Sequence, residues 1–139
     1  MKEALTYDDV LLVPQYSDIK SRSEVYLTSA LDESLVFKLP IISSPMDTVT
    51  ESEMAFTMDR LGGLGIIHRY NSIEEQAGLV AEVISAGAQN VGAAIGVSGD
   101  YFERAQTLVE NGVSVLCVDV AHGHHILMKD VLGILKKSF

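Results

Sequence analysis

Four short apolar runs, at residues 39–42, 64–67, 91–95 and 113–118, constrain this chain more than any other feature. They recur at intervals of about 25 residues, and each is followed by a segment whose apolar residues repeat at the helical period. Alternating β and α at this spacing builds right-handed βαβ units on a parallel sheet. The runs are nearly continuous in apolar residues, as strands are when both sheet faces are covered.

The intervening segments carry their own start and stop signals. Thr50 with Glu53 three residues on reads as a capping box, so a helix is predicted from there, with Met54, Met58 and Leu61 on one face and Gly62 as its C′ glycine. Ser72 and Glu75 repeat the signature ahead of Ile73, Ala77, Val80 and Ile84. Asp100 and Glu103 open a third helix carrying Phe102, Ala105, Leu108 and Val109, which closes at Asn111-Gly112. A last helix is predicted over 126–136, with Lys136 and Lys137 near its negative dipole end. Ahead of these units, "LTYDDVLLVPQY" reads as an extended lead-in and residues 25–31 as one more β segment, together a hairpin-like cap. An open doubly wound sheet and half of a (βα)8 barrel both accommodate four such units; periodicity does not choose between them.

A chain of 139 residues suits one domain, 1–139, burying about two-thirds of its unfolded surface. Although 47% of it is hydrophobic, no run approaches the ~20 apolar residues of a membrane span, and the first residues lack the apolar core of a signal peptide. The net charge of −9 argues against nucleic acid as a partner, since such binding neutralises phosphates with Lys and Arg. The single Cys117 forms no internal disulfide, which fits a reducing compartment. The expectations are a cytoplasmic protein with neither a membrane nor a nucleic-acid partner.

In either architecture ligands bind beyond the carboxyl ends of the strands. Polar residues cluster just there: Ser43, Ser44, Met46, Asp47 and Thr48 after the first run, and His68, Arg69 and Asn71 after the second. Ser98, Gly99 and Asp100 follow the third, and Asp119, His122, His124 and His125 the fourth. Each cluster also has a structural reading. Ser-Ser-Pro-Met-Asp-Thr is good turn chemistry, His68-Arg69 could be a solvated approach to a helix, and Ser98-Gly99-Asp100 a turn and N-cap. "DVAHGHH" brings imidazoles and a carboxylate together, but its spacing does not set three ligands on one zinc, so no metal is expected. Cys117 alternates with apolar neighbours inside a strand and reads as a structural thiol.

The segments "LTYDDVLLVP", "LPIISSPMDTVTESEMA", "GGLGIIHRYNSIEEQ", "VGAAIGVSGD", "LVENGVSVLCVDVAHGH" and "LKKSF" together resemble the N-terminal part of the inosine-monophosphate dehydrogenase / GMP reductase family. They run in family order over nearly the whole chain, and "SSPMDTVTE" and "GGLGIIH" are more similar to the dehydrogenase. The resemblance implies a TIM (βα)8-barrel fold of which this chain carries a β lead-in and about four βα units. It further implies that Ser44 and Met46 touch the purine nucleotide, IMP or GMP, with Met46 against the base. Asp119 would bind the ribose of NAD (NADP in the reductase branch), Val120 and Ala121 would lie beside the nicotinamide half, and His68 would approach the adenosine end.

Two departures from the family pattern shape the expectations. Glu82 to Asn90 runs straight into the third strand, where dehydrogenases usually carry a pair of CBS modules. The family's nucleophilic cysteine and its phosphate-gripping loops follow later strands than the four found here. The chain is therefore expected to be inactive alone, with no catalytic residue of its own. It would need a complementary half-barrel or a second copy to cover its apolar surface. A GMP reductase-type half, or a non-catalytic half-barrel that binds nucleotide or a full-length family member, is the alternative.

Overall fold

The computed structural model describes residues 2–139; Met1, where the N-terminal stretch read above begins, lies outside the described residues. The elements run β1 (Ser29–Ala30), β2 (Val36–Phe37), β3 (Ile42–Ser43), α1 (Ser52–Leu61), β4 (Leu64–Ile67), α2 (Ile73–Ser85), β5 (Gly92–Ile95), α3 (Tyr101–Glu110), β6 (Val115–Val118) and α4 (Ile126–Ser138). β1 and β2 form a small antiparallel pair, and β3 to β6 form a parallel sheet.

The order within that sheet is β3-β4-β5-β6, each strand beside its successor, with no reversal of direction. The period-2 alternation of side chains divides the core in two. Ile67, Ala93, Ile95, Leu116 and Val118 pack against Ala55 of α1, Val80 and Val83 of α2, Ala105 and Leu108 of α3, and Val131 and Leu135 of α4. Leu64, Ile66, Ala94, Val115 and Cys117 point to the other face and meet only Leu35 and Phe37 of the hairpin region. All four helices thus lie on one face. A doubly wound sheet would carry them on both.

β4 shows why the sequence folds this way. Its four residues are all buried, because β3 and β5 flank it and both faces are covered. Gly65 lets α1 come close: a Cβ there would lie 2.5 Å from the Ala55 Cα. Gly92 does the same service on the other face, where a Cβ would meet the Ile66 Cδ1 at 2.6 Å. Gly62 ends α1 in the left-handed region at φ 86°, as expected of a C′ glycine. Ser72 and Glu75 form the reciprocal capping box of α2, with Glu75 N–H donating to Ser72 Oγ at 3.1 Å and Ser72 N–H to Glu75 Oε2 at 2.9 Å.

Four expectations need correction. α1 does not start at a Thr50 capping box: its N-cap is Glu51, and Thr50 is fully buried with its hydroxyl donating to the Ser44 carbonyl at 2.7 Å. A tertiary bond to the β3 turn displaced the local cap. Nor does α1 pack through Met54 and Leu61, which are 39% and 62% exposed; the residue against the sheet is Ala55, because close approach at Gly65 leaves no room for a larger one. Asp100 precedes α3, but its carboxylate makes no cap bond and instead receives Arg104. The lead-in is no cap. Tyr7, Leu11, Leu12, Tyr16 and Tyr26 are almost fully exposed, because residues 2–139 offer them no surface to pack against, and only β1–β2 forms the hairpin.

The Thr50 bond makes a testable point about the first turn. Thr50→Val keeps the shape and removes the donor, so the Ser44 carbonyl retains only the Met46 N–H and the Ser43 hydroxyl loses its Thr50 partner. We expect a loss of about 1–2 kcal/mol in urea unfolding with an unchanged m-value.

Candidate functional site

The carboxyl ends of β3 to β6 bring the sequence-predicted clusters to one rim. The first turn leaves β3 through Ser44-Pro45-Met46, folded by a Met46 N–H bond to the Ser44 carbonyl at 2.8 Å and by Val49 and Thr50 N–H bonds back to the Met46 carbonyl at 3.0 Å. Ser44 is exposed and Met46 is half-exposed, so both side chains remain free to meet a ligand. Thr50 under the turn anchors it from inside, and sequence reasoning had assigned that residue to the helix instead.

His68 sits differently. It is 3% exposed, its Nδ1 accepts the Tyr70 backbone N–H at 3.1 Å, and its Nε2 lies 3.2 Å from Glu51 Oε1. An acceptor at Nδ1 requires the proton on Nε2, so the neutral ring donates to the carboxylate. His68 therefore ties the second turn to the start of α1, and only its edge reaches the adjoining cleft. That cleft, about 580 Å³, is also lined by Asp47, Glu51, Tyr70, Glu75 and Glu82. Its acidic wall repels phosphate and favours neutral or hydroxyl-bearing groups.

Asp119 continues the β6 ladder by one residue, its N–H donating to the Ile95 carbonyl at 2.9 Å. Its side chain is one-third exposed and lies 4.0 Å from Arg69 Nε, which is buried and without a hydrogen-bond partner. Arg69 in turn stacks its guanidinium 5.7 Å from the Tyr70 ring centroid and passes over Gly96, where its Nη1 would be 3.6 Å from an added Cβ. An unbonded carboxylate and an unpaired guanidinium N–H thus face each other at the rim. Val120 is half-buried and Ala121 exposed, next along the chain from Asp119. Sequence reasoning assigns Arg69 no specific role; its place directly after a buried strand is the available signal.

The structure brings Asp119 and Arg69 together, and His68 beside the first turn through Glu51. It does not join the imidazoles of the "DVAHGHH" stretch into a ligand set: His122 and His125 ring centroids are 6.5 Å apart, and among the described residues no group of three metal-ligating side chains occurs. No helix among them is long and apolar enough to cross a membrane.

Cys117 lies inside β6 on the helix-free face. Burial pushes its thiol above the ordinary range, and the nearby Asp119 carboxylate adds to the shift. The thiolate is thus scarce at neutral pH, the opposite of an activated nucleophile. Iodoacetamide at pH 8 is expected to alkylate Cys117 more slowly than a free thiol, with full reactivity on unfolding in urea. A raised pKa in the folded state means that stability is intact below the unfolded thiol's pKa and declines as pH rises above about 9.

A family profile described as "IMP dehydrogenase / GMP reductase domain" matches residues 4–139. Among curated proteins, an inosine-5'-monophosphate dehydrogenase of Nitrosopumilus maritimus is 50% identical over 99 residues, covering 71% of this chain and 21% of that protein. One of Cryptosporidium parvum is 39% identical over 178 aligned residues, covering 98% of this chain and 44% of its own. A GMP reductase of Leishmania donovani is 51% identical over 83 residues, 60% of this chain and 17% of that protein. The chain therefore spans less than half the length of each of these relatives. The unidirectional parallel sheet, the polar rim at its carboxyl end and these similarities agree, and the chain belongs to the IMP dehydrogenase / GMP reductase family.

Proposed function

We propose that residues 2–139 form the first half of a (βα)8 barrel whose rim supplies one wall of a purine-nucleotide and dinucleotide site. The reaction we assign to the completed barrel is oxidation of IMP to XMP with NAD and water, a step toward guanine nucleotides. The observation that carries this reading is the sheet itself. Four parallel strands in chain order, with the four α-helices on one face, leave a helix-free face and two open edges, at β3 and β6, for four more strands to close.

The residues present fit the proposed ligands. Ser44 offers a hydroxyl and Met46 a polarizable apolar surface for a planar base. Asp119 has acceptor capacity to spare for a ribose diol, and Arg69 Nε, buried and unbonded, supplies a donor beside it. Bound NAD supplies the hydride acceptor. The acidic cleft beside His68 accommodates an uncharged adenosine edge better than a phosphate. Arg69 keeps an unspent donor at the rim, whereas Arg104 is fully engaged below it. We assign the phosphate grip, and the nucleophilic thiol that the half-buried Cys117 inside β6 cannot provide, to the complementary half. On that assignment this chain has no turnover alone, and the exposed β3 and β6 edges favour pairing with the second half or with another copy.

Titration of the isotope-labelled chain tests the binding roles directly. IMP is expected to shift the Met46 methyl signal, and NAD the signals of Asp119 and Tyr70. Ligand-insensitive spectra in the presence of the complementary half would overturn the assignment. The similarity to the Leishmania donovani GMP reductase favours one second reading, NADPH-dependent deamination of GMP to IMP on the same rim. The completed barrel decides by which nucleotide it consumes.

A further inference from the structure

Beneath the rim lies a polar network that none of the proposed ligand contacts uses. Gln76, on the buried face of α2, is fully inaccessible, and Arg104 of α3 is 7% exposed. Gln76 Nε2 donates to the carbonyls of His68 and Ala94, each at 2.9 Å, and its Oε1 accepts Arg104 Nη1 at 2.9 Å. Arg104 also donates from Nη1 to the Ser72 carbonyl at 3.4 Å and from Nη2 to the Asn71 carbonyl at 3.1 Å. Its Nε and Nη2 complete the set on Asp100 Oδ2 at 3.2 and 2.7 Å. Five bonds use the five N–H donors of the guanidinium.

We propose that Gln76 and Arg104 are positioning residues that lock the turn between β4 and α2 onto the end of β5, so that His68, Arg69 and Asn71 hold their places before any ligand arrives. The part of the proposal that concerns dinucleotide binding rests on the function proposed above. A buried guanidinium is costly to desolvate, and an apolar pair of similar volume would fill the same space at no loss of stability. What such a pair cannot do is fix four carbonyls, from His68, Asn71, Ser72 and Ala94, relative to one another. A fully satisfied buried network does this, and rigidifies whatever it spans. The turn it spans is the one that presents Arg69 to Asp119.

Amide hydrogen exchange on the intact chain tests the lock. The Tyr70 N–H, bonded to the His68 ring, reports on the turn, and the Ile66 and Ala94 amides report on the sheet. In Gln76→Leu and Arg104→Met, Tyr70 is expected to exchange about tenfold faster or more, with the sheet amides within about twofold of wild type. Arg104→Lys keeps the charge but offers three donors for five and should fall between. Asp100→Asn removes, from a half-exposed position, the negative charge that takes two of Arg104's five bonds, so it keeps the question decidable if the buried variants do not fold; about threefold faster Tyr70 exchange is expected. Unchanged Tyr70 exchange, or equal acceleration across β4 and β5, overturns the proposal.

In the completed barrel, Asp100→Asn and Arg104→Lys should raise the dinucleotide KM severalfold and leave the nucleotide KM unchanged. Equal changes in both would mark a merely structural role and also overturn the proposal. A wild-type completed barrel with no dinucleotide-dependent reaction sinks the functional reading instead, and the exchange data then decide the lock by themselves.

Discussion

Gly65→Ala is expected to destabilise this protein by about 3 kcal/mol, at the upper end of overpacking costs, and Gly65→Val to prevent folding. An added Cβ at this position lies 2.5 Å from the Ala55 Cα and 2.8 Å from its Cβ. Neither atom is the end of a flexible side chain, so the whole of α1 must move off β4. That movement opens the core where Ile67 is fully buried, and drags the turn that carries Ser44 and Met46, because Thr50 links it to the helix start. Against a total stability of about 5–15 kcal/mol for a domain of this size, such a loss is large. Gly78→Ala is the matched control. Nothing lies within 4 Å of its added methyl, and α2 gains about 0.5–1 kcal/mol from the better helix former. Chemical denaturation of the two variants side by side should give shifts of opposite sign.

The largest functional effect is expected at Asp119. On the ribose-binding role proposed for Asp119, Asp119→Ala in the completed barrel should raise the dinucleotide KM about 100-fold or more, the loss expected for two charge-assisted bonds at about 1.5–3 kcal/mol each. Asp119→Asn keeps the shape and loses the charge, and should cost about tenfold. Neither change should alter the nucleotide KM by more than about twofold, because Ser44 and Met46 stand on another turn. Arg69 supplies an internal check. Removing Asp119 leaves its buried Nε facing no anion at all, so Arg69→Met combined with Asp119→Ala should recover part of the stability lost by Asp119→Ala alone. Steady-state kinetics with each substrate varied in turn would separate these outcomes.

Much of the scaffold was legible because local and tertiary preferences agree. β4 is covered on both faces and flanked by strands, so its apolar run had one interpretation and its ends fall where expected. The Ser72–Glu75 box and Gly62 likewise perform locally what their residue types favour. Thr50 carries the same pattern as Ser72 and behaves otherwise, because a buried bond to Ser44 outweighs a solvent-exposed cap. Gln76 and Arg104 escaped for a related reason: polar residues on a buried helix face look like breaks in the periodicity, and only three-dimensional neighbours reveal that every donor is used.

The rim was legible in part. Strand-end reasoning put polar clusters at one end of the sheet, and the structure gathers them there. The roles of Ser44, Met46, His68, Asp119, Val120 and Ala121 came from family resemblance. Spacing alone could not show that His68 would be buried against Glu51, nor that Asp119 would face Arg69 across the tops of two strands.

Complementation tests the account most directly. The chain would be mixed with the part of the Cryptosporidium parvum relative that follows its matching region, and NADH formation followed with IMP and NAD present. The account predicts IMP-dependent NADH from the mixture and none from either half alone, with loss of the signal in Asp119→Ala at dinucleotide concentrations that saturate the wild type. A stable one-to-one complex that leaves both IMP and GMP unchanged, whichever dinucleotide is supplied, would contradict it.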